Sequence, residues 1–196
     1  MNKIIAITGG IGSGKSTALK VVEKQGYKTF SADKIYSELI LEEDFINEIS
    51  LALGVSVLTV DGKACLNKAE ISGKVFNDKN ALKTLNSITH PRIMQSMLDR
   101  AKAQNGLIFC EVPLLFEGGF EDLFDCVFII KRDDKVRFEN ASIRDGKTVE
   151  QIEEIAKNQF DYAKIQENAH TLIIENNGNE TALAEKIELA IKNIQK

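Results

Sequence analysis

A glycine-rich stretch near the amino terminus carries the most specific spacing of chemically useful residues. Gly9, Gly14, Lys15 and Ser16 fit the phosphate-loop pattern G-x-x-x-x-G-K-[ST]. Glycines allow positive φ angles, so that consecutive N–H groups can point inward at an anion, while the lysine reaches the β- and γ-phosphates and the hydroxyl holds Mg²⁺. The predicted nucleoside triphosphate site comprises Gly9, Gly10, Ile11, Gly12, Ser13, Gly14, Lys15, Ser16 and Thr17.

The flanking residues predict the elements that position this loop. The apolar run 4–7 is typical of a buried parallel strand, and a helix is expected from Lys15 to Gln25, ending at Gly26. A glycine-rich turn with an incidental lysine is the alternative. The order of strand, loop and helix favours the nucleotide site, because the helix then directs its positive dipole end at the phosphates.

A candidate catalytic carboxylate follows the next predicted strand, 27–30. In open parallel sheets ligands bind at the carboxyl ends of strands, which would bring Asp33 close to the phosphate loop. A carboxylate there can accept the proton of an attacking hydroxyl. Alternatively, Asp33 only caps the next helix, predicted over 34–41. Position alone does not distinguish the two roles.

Residues 34–104 are predicted to form a mostly helical insertion, because their apolar residues recur at helical spacing. Residues 55–58 and the Asp61-Gly62 turn interrupt this pattern. Pro91 either kinks a long helix or opens a second one. His90 and Arg92 beside it are candidates for binding a substrate anion, with a structural hydrogen-bonding role as the alternative for His90.

The core is expected to resume with strands over 106–112 and 125–131. Glu111, near the end of the first, stands where phosphate-loop enzymes place an acidic residue that supports Mg²⁺, so Ser16 and Glu111 are the candidate metal residues. The segment Pro113, Leu114 and Leu115 then belongs either to the core or to a wall against an apolar part of a ligand.

A basic segment follows the strand over 125–131. Arg132, Arg137 and Arg144 are three of only five arginines, and the last two are seven residues apart, which on a helix puts them on one face. Arginines on a helix that closes over a triphosphate grip its oxygens, although solvation at the surface is the alternative for each. A return helix is predicted from Val149 to about Glu167, followed by a strand over 171–175 and a final helix over 180–194 capped by Asn179.

Composition limits the class of protein. With 196 residues, 43% hydrophobic, the chain suits one core domain with insertions. No stretch is long and apolar enough for a membrane span, and the first residues lead directly into a strand, so a soluble cytoplasmic protein is expected. A net charge of −4 disfavours an extended nucleic-acid surface. The three cysteines, without C-x-x-C spacing, indicate neither zinc nor a disulfide.

Several separated motifs together resemble the dephospho-coenzyme A kinase family. They are ITGGIGSGKST, the Ala32-Asp33 pair, LGVSVLTVDGK, KVFNDKNALKTLNSITHPRI, EVPLLFE, IRD and IIENNG. The resemblance implies a P-loop NTPase α/β fold, in which a parallel sheet flanked by helices carries a helical substrate-binding insertion and a short helical lid. The implied segments are 1–33, 105–132 and 166–196 for the core, 34–104 for the coenzyme A-binding insertion and 133–165 for the lid.

By resemblance, the protein transfers the γ-phosphoryl of ATP, with Mg²⁺, to the ribose 3′-hydroxyl of dephospho-coenzyme A, giving coenzyme A and ADP, the last step of that synthesis. Asp33 matches the family's catalytic Asp, and Lys15, Arg137 and Arg144 complete the expected catalytic set. Asn176, Asn177 and Gly178 match the loop against the adenine. The residues expected to bind the substrate are Asp33, His90, Arg92, Pro113, Leu114 and Leu115. A monomer or weak homo-oligomer is expected, without nucleic-acid or membrane partners.

Two positions depart from the family pattern. Ser37 stands where an Arg is common four residues after the catalytic Asp, and Asn140 stands where a lid Arg is common. Arg137, one helical turn before Asn140, is expected to take over the missing phosphate contact. Rival interpretations are a small kinase with another acceptor and a GTPase-type switch. The switch is disfavoured because no D-x-x-G occurs and Asn67-Lys68-Ala69-Glu70 ends in Glu.

Overall fold

The computed structural model describes residues 2–195 and divides them into two compact units. One contains the residues up to Phe30 and from Ala101 onward, and the other contains Ser31–Arg100. In chain order the elements are β1 (Lys3–Thr8), α1 (Lys15–Lys24), β2 (Lys28–Ser31), α2 (Ala32–Leu39), α3 (Glu43–Leu53), β3 (Val57–Val60), β4 (Lys63–Leu66), α4 (Lys68–Asn77), α5 (Lys79–Lys102), β5 (Leu107–Glu111), β6 (Cys126–Lys131), α6 (Asp134–Asp145), α7 (Val149–Lys157), β7 (Thr171–Glu175) and α8 (Glu180–Ile194).

The first unit is built on a five-stranded sheet in the order β2-β5-β1-β6-β7. β1 pairs in parallel with β5 and with β6, and β6 pairs in parallel with β7. Helices α1 and α8 pack against this sheet through one buried cluster that includes Ile5, Val22, Phe128 and Ile187. The predicted strands of the core are therefore confirmed, as is the α/β class. None of the helices within residues 2–195 combines the length and hydropathy needed to cross a bilayer.

Parallel pairing brings the ends of β1, β5 and β6 together. Ile7 in β1 is in register with Glu111 in β5 and with Phe128 in β6. The phosphate loop starts one residue after β1 ends, at Gly9, and leads into α1 at Lys15. The sheet order thus places the glycine-rich loop on a central strand, with neighbouring strands on both sides to support it.

The second unit is less uniformly helical than its apolar spacing suggests. The interruption between its helices is a hairpin of β3 and β4, closed by Asp61 (φ 50°) and Gly62 (φ 75°). Two residues with positive φ form the turn that suits a tight hairpin, and an Asp-Gly pair favours it. The helix α5 runs continuously through Pro91, so the proline does not open a second helix.

The predicted return helix is shorter than expected. A capping box of Thr148 and Gln151 starts α7, but the helix ends at Lys157 instead of continuing to about Glu167. The following residues adopt an irregular path with one 3₁₀ turn, Tyr162–Lys164. Tertiary contacts override the local preference for helix here. Gln159 and Tyr162 form hydrogen bonds with Ile11 and Thr8, in and beside the phosphate loop, instead of continuing the helix.

Candidate active site

The phosphate loop adopts a conformation that requires its glycines. Gly12 has φ +74° and Gly14 has φ +98°, both in the region that favours glycine. A Cβ on Gly12 would lie 2.0 Å from the carbonyl oxygen of Arg137, and one on Gly14 would lie 2.2 Å from Nδ2 of Asn176. Glycine therefore serves both backbone geometry and close packing in this loop.

The Lys15 side chain folds back across the loop. Its Nζ donates hydrogen bonds to the carbonyl oxygens of Gly9 (2.8 Å) and Gly10 (3.1 Å). An ammonium group held over a curved run of backbone creates a positive site for phosphate oxygens. The N-terminus of α1 adds its dipole at the same place, since α1 begins at Lys15.

Ser16 and Glu111 are brought together by the pairing of β1 with β5. The Ser16 Oγ donates a 2.7 Å hydrogen bond to Oε1 of Glu111, whose residue is only 5% exposed. Mg²⁺ prefers oxygen ligands and commonly binds proteins through one or two carboxylates together with substrate phosphates. Within residues 2–195 no cluster of three or more His, Cys, Asp or Glu is arranged to hold a metal ion. The hydroxyl–carboxylate pair fits a nucleotide-bound Mg²⁺.

The Asn176–Gly178 turn after β7 supports the loop. Nδ2 of the buried Asn176 donates a 2.8 Å hydrogen bond to the carbonyl oxygen of Ser13. Asn177 Oδ1 accepts from the backbone N–H of Asp133, just before α6. The structure thus places two of the three predicted adenine-side residues in contact with the loop and with the start of α6.

The two arginines of α6 have different surroundings. Arg137 is 17% exposed and lies against the phosphate loop, with Nη1 donating to the carbonyl oxygen of Ile11 (3.1 Å) and Nε to Asp134 (2.7 Å). Arg144 is 61% exposed and forms a bidentate ion pair with Asp145. The shared helix is confirmed, and Arg137 contacts the loop.

A cavity of about 610 Å³ lies beside the loop, between the end of β6 and helices α6 and α7. Its wall includes Gly10 and Ser13 from the loop together with Lys131, Arg132 and Arg137. The hydroxyl of Ser13 and Nε of Arg132 are buried without a hydrogen-bond partner within the described residues. Buried polar atoms of this kind normally find partners, so the cavity wall is suited to a polar ligand.

Three residues of this region, Gln159, Tyr162 and Thr8, were not predicted from the sequence to belong to the site. Gln159 Oε1 accepts a 2.8 Å hydrogen bond from the N–H of Ile11, and the hydroxyls of Tyr162 and Thr8 lie 3.3 Å apart. Burial raises the pKa of Tyr162 to about 12, so its phenol is protonated at neutral pH. No local motif marks these positions, because the contacts join residues roughly 150 apart in the chain.

Asp33 lies in the second unit, in the first turn of α2. The cap position of α2 is Ser31, so the alternative that Asp33 caps this helix is wrong. The Asp33 residue is exposed, and within residues 2–195 its carboxylate makes no hydrogen bond or ion pair. An exposed carboxylate without a partner among residues 2–195 is available for a ligand. Its carbonyl oxygen accepts from the Ser37 hydroxyl at 2.8 Å.

Arg92 has acidic partners within the second unit. It forms ion pairs with Glu42, Asp44 and Glu48. The Arg92 hydrogen bond lowers the pKa of Asp44. These pairs would have to open before Arg92 could bind a substrate anion. His90 on the same helix is partly buried, and this burial lowers its pKa, which favours the neutral imidazole.

The segment after β5 divides between core and surface. Leu115 is fully buried and Leu114 is 36% exposed. The following Phe116 stacks on Phe160, with ring centroids 4.8 Å apart. Of the two roles predicted for this segment, the structure assigns Leu115 to the core and leaves Leu114 accessible.

The comparisons with known proteins agree with this geometry. The dephospho-CoA kinase family model matches residues 3–182. The chain is 34% identical over 173 residues to the dephospho-CoA kinase of Acinetobacter baylyi, covering 87% of this chain and 88% of that protein. It resembles the crystal structure of TT1252 from Thermus thermophilus (TM-score 0.81, 26% identity, 97% and 96% covered) and that of the dephospho-CoA kinase from Campylobacter jejuni (TM-score 0.69, 26% identity, 99% and 98% covered). The chain belongs to the dephospho-CoA kinase family.

Proposed function

We propose that this protein transfers the γ-phosphoryl group of ATP to the ribose 3′-hydroxyl of dephospho-coenzyme A, giving coenzyme A and ADP. The observation that carries the proposal is the phosphate loop, with its positive-φ glycines, Lys15 and the Ser16–Glu111 pair, in a chain of this family. We also propose that the enzyme is cytoplasmic and acts as a monomer or weak homo-oligomer.

The proposed chemistry is an in-line transfer in which positioning and charge stabilisation do most of the work. Lys15 and the loop N–H groups bind the triphosphate, and Asn176–Gly178 lies against the adenine. Asp33 accepts the proton of the attacking ribose hydroxyl. The exposure of its carboxylate supports this role. His90, Arg92 and Leu114 are proposed to contact the acceptor.

When bound, Mg²⁺ would neutralise the charge of the phosphates, and we propose that Ser16 and Glu111 hold it.

Glu111→Gln keeps an acceptor for the Ser16 hydroxyl but removes the negative charge. We expect the Mg²⁺ concentration for half-maximal rate to rise about tenfold, equivalent to about 1.4 kcal/mol. The measurement is initial rate against Mg²⁺ at saturating ATP. Glu188→Gln is the control, because Glu188 pairs with Lys192 on α8 and not with Ser16. Superimposable Mg²⁺ curves for Glu111→Gln and wild type would contradict the metal assignment.

Arg137 is proposed to contact the transferring phosphate in place of the lid arginine missing at Asn140. Its Nη2 makes no hydrogen bond within the described residues, while Nε and Nη1 are engaged. Losing a hydrogen bond to a charged group predicts that Arg137→Ala lowers kcat/KM for ATP about 10- to 100-fold. Arg100→Ala, which removes an exposed ion pair with Glu38 in the second unit, should change it by less than about threefold. Unchanged ATP constants in Arg137→Ala would rule out this contact.

The function is tested by a coupled ADP-release assay with ATP and Mg²⁺, run without acceptor and with dephospho-coenzyme A, AMP or adenosine. ADP release that requires dephospho-coenzyme A supports the proposal. Faster turnover with AMP or adenosine would indicate a different small kinase. Tight GTP binding with hydrolysis in the absence of any acceptor would favour the GTPase-type switch.

A further inference from the structure

Ile11 of the phosphate loop is held from outside the loop by two side chains. Its N–H donates to Oε1 of Gln159 (2.8 Å), and its carbonyl oxygen accepts from Nη1 of Arg137 (3.1 Å). Arg137 lies in the second turn of α6, and Gln159 lies two residues beyond the end of α7. Both ends of the α6–α7 segment therefore bind the same residue of the loop.

The packing around these bonds leaves little free space. A Cβ on Gly10 would lie 2.9 Å from Nη1 of Arg137 and 3.8 Å from Oε1 of Gln159. A side chain at position 10 would therefore crowd the Arg137 guanidinium and touch the Gln159 amide. Because both polar groups of the Ile11 backbone are bonded, the peptide planes on either side of Ile11 are restrained.

The backbone that carries Gln159 is held in place by contacts of the residues that follow it. The N–H of Phe160 donates to Oε1 of Glu117 (2.9 Å), and the Phe160 ring stacks on Phe116. One turn later, the Tyr162 hydroxyl meets the hydroxyl of Thr8 at the end of β1. The segment 159–162 is therefore anchored to the first unit's core independently of Gln159.

We propose that Gln159 is a positioning residue for nucleotide binding: its side-chain carbonyl holds the Ile11 N–H so that the phosphate loop is shaped before the triphosphate arrives. This inference rests on the proposed nucleotide site. A loop that is already in its binding conformation loses less conformational freedom when the ligand binds, and preorganisation of this kind raises affinity.

The test replaces Gln159 with Met, which has a similar length and no strong acceptor. Amide hydrogen exchange of Ile11, measured by NMR in the nucleotide-free protein, should accelerate about fivefold to tenfold, because the hydrogen bond that protects this amide is lost. The Kd for ATP, measured calorimetrically without acceptor, should rise about tenfold. The KM for dephospho-coenzyme A at saturating ATP should stay at its wild-type value.

Two further variants separate positioning from a merely structural role. Gln159→Glu keeps the carbonyl-type acceptor and should retain slow Ile11 exchange. Gln151→Met breaks the α7 capping box and should lower the melting temperature while leaving Ile11 exchange and the ATP Kd unchanged. An unchanged ATP Kd in Gln159→Met, or the same loss of affinity in Gln151→Met, would overturn the proposal.

The exchange and ATP-binding measurements do not depend on the acceptor. If Gln159→Met exposes the Ile11 amide and weakens ATP binding while dephospho-coenzyme A is not phosphorylated by the wild type, the positioning role stands and the proposed reaction fails. If the kinase assay succeeds and Ile11 exchange does not change, the reaction stands and the positioning role fails.

Discussion

Asp33→Asn is expected to lower kcat by about 10²- to 10⁴-fold, the range typical of losing a general base. Asn is nearly isosteric with Asp and keeps an oxygen that can orient a hydroxyl, but it cannot take up the proton. Because the Asp33 carboxylate makes no hydrogen bond or ion pair within residues 2–195, the substitution should not change stability by more than about 0.5 kcal/mol.

The measurements are kcat in the ADP-release assay and calorimetric Kd values for ATP and dephospho-coenzyme A, both expected to stay within about threefold of wild type. Asp99→Asn is the matched control. Asp99 is also exposed on a helix of the second unit, where it accepts a hydrogen bond from Gln95. Near-normal kcat in Asp33→Asn would remove Asp33 from the role of base, and an equal loss in Asp99→Asn would indicate a general effect of charge.

Gly12→Ala is expected to destabilise the protein by about 2 to 4 kcal/mol and to weaken ATP binding at least about 100-fold. Part of the destabilisation is the penalty of about 1 to 2 kcal/mol for an L-residue with positive φ. The larger part is steric, because the new Cβ would lie 2.0 Å from the carbonyl oxygen of Arg137, a backbone atom that cannot turn aside like a side chain. The loop must move to relieve that clash. The backbone N–H groups of the displaced loop then bind phosphate poorly.

Gly62→Ala provides a close control for backbone strain. Gly62 has φ +75°, nearly the value at Gly12, but a Cβ there would meet no heavy atom within 4 Å. It should therefore show only the conformational penalty of about 1 to 2 kcal/mol, with normal ATP affinity. Chemical denaturation and calorimetry measure the two quantities. Equal destabilisation in both variants, with ATP binding intact, would show that the Gly12–Arg137 contact is not restrictive.

Local sequence predicted those elements whose information is local. The apolar run of β1 and the glycine spacing after it predicted the strand, the loop and α1, because β1 is buried along nearly its whole length and the loop geometry requires glycine. The Asn179 cap and the apolar spacing of α8 predicted that helix in full, with Asn179 accepting from the N–H of Ala182.

Predictions were weaker where distant contacts compete with local preference. Apolar spacing favoured a longer return helix, but the chain leaves helical geometry after Lys157, and Gln159 and Tyr162 bind near the loop. The spacing of Arg137 and Arg144 identified one helix correctly. It did not indicate that Arg137 packs against the loop while Arg144 pairs with Asp145.

By itself, the sequence determined the class of chemistry, because a phosphate-binding loop is built from consecutive residues whose types set the backbone conformation and the charge. Only the tertiary structure decided which distant side chains complete it. Glu111 reaches Ser16 because β5 pairs with β1, and Asn176 reaches Ser13 because β7 lies beside β6. Such contacts depend on strand order and helix packing, and residues separated by a hundred positions carry no local signal of their distance in space.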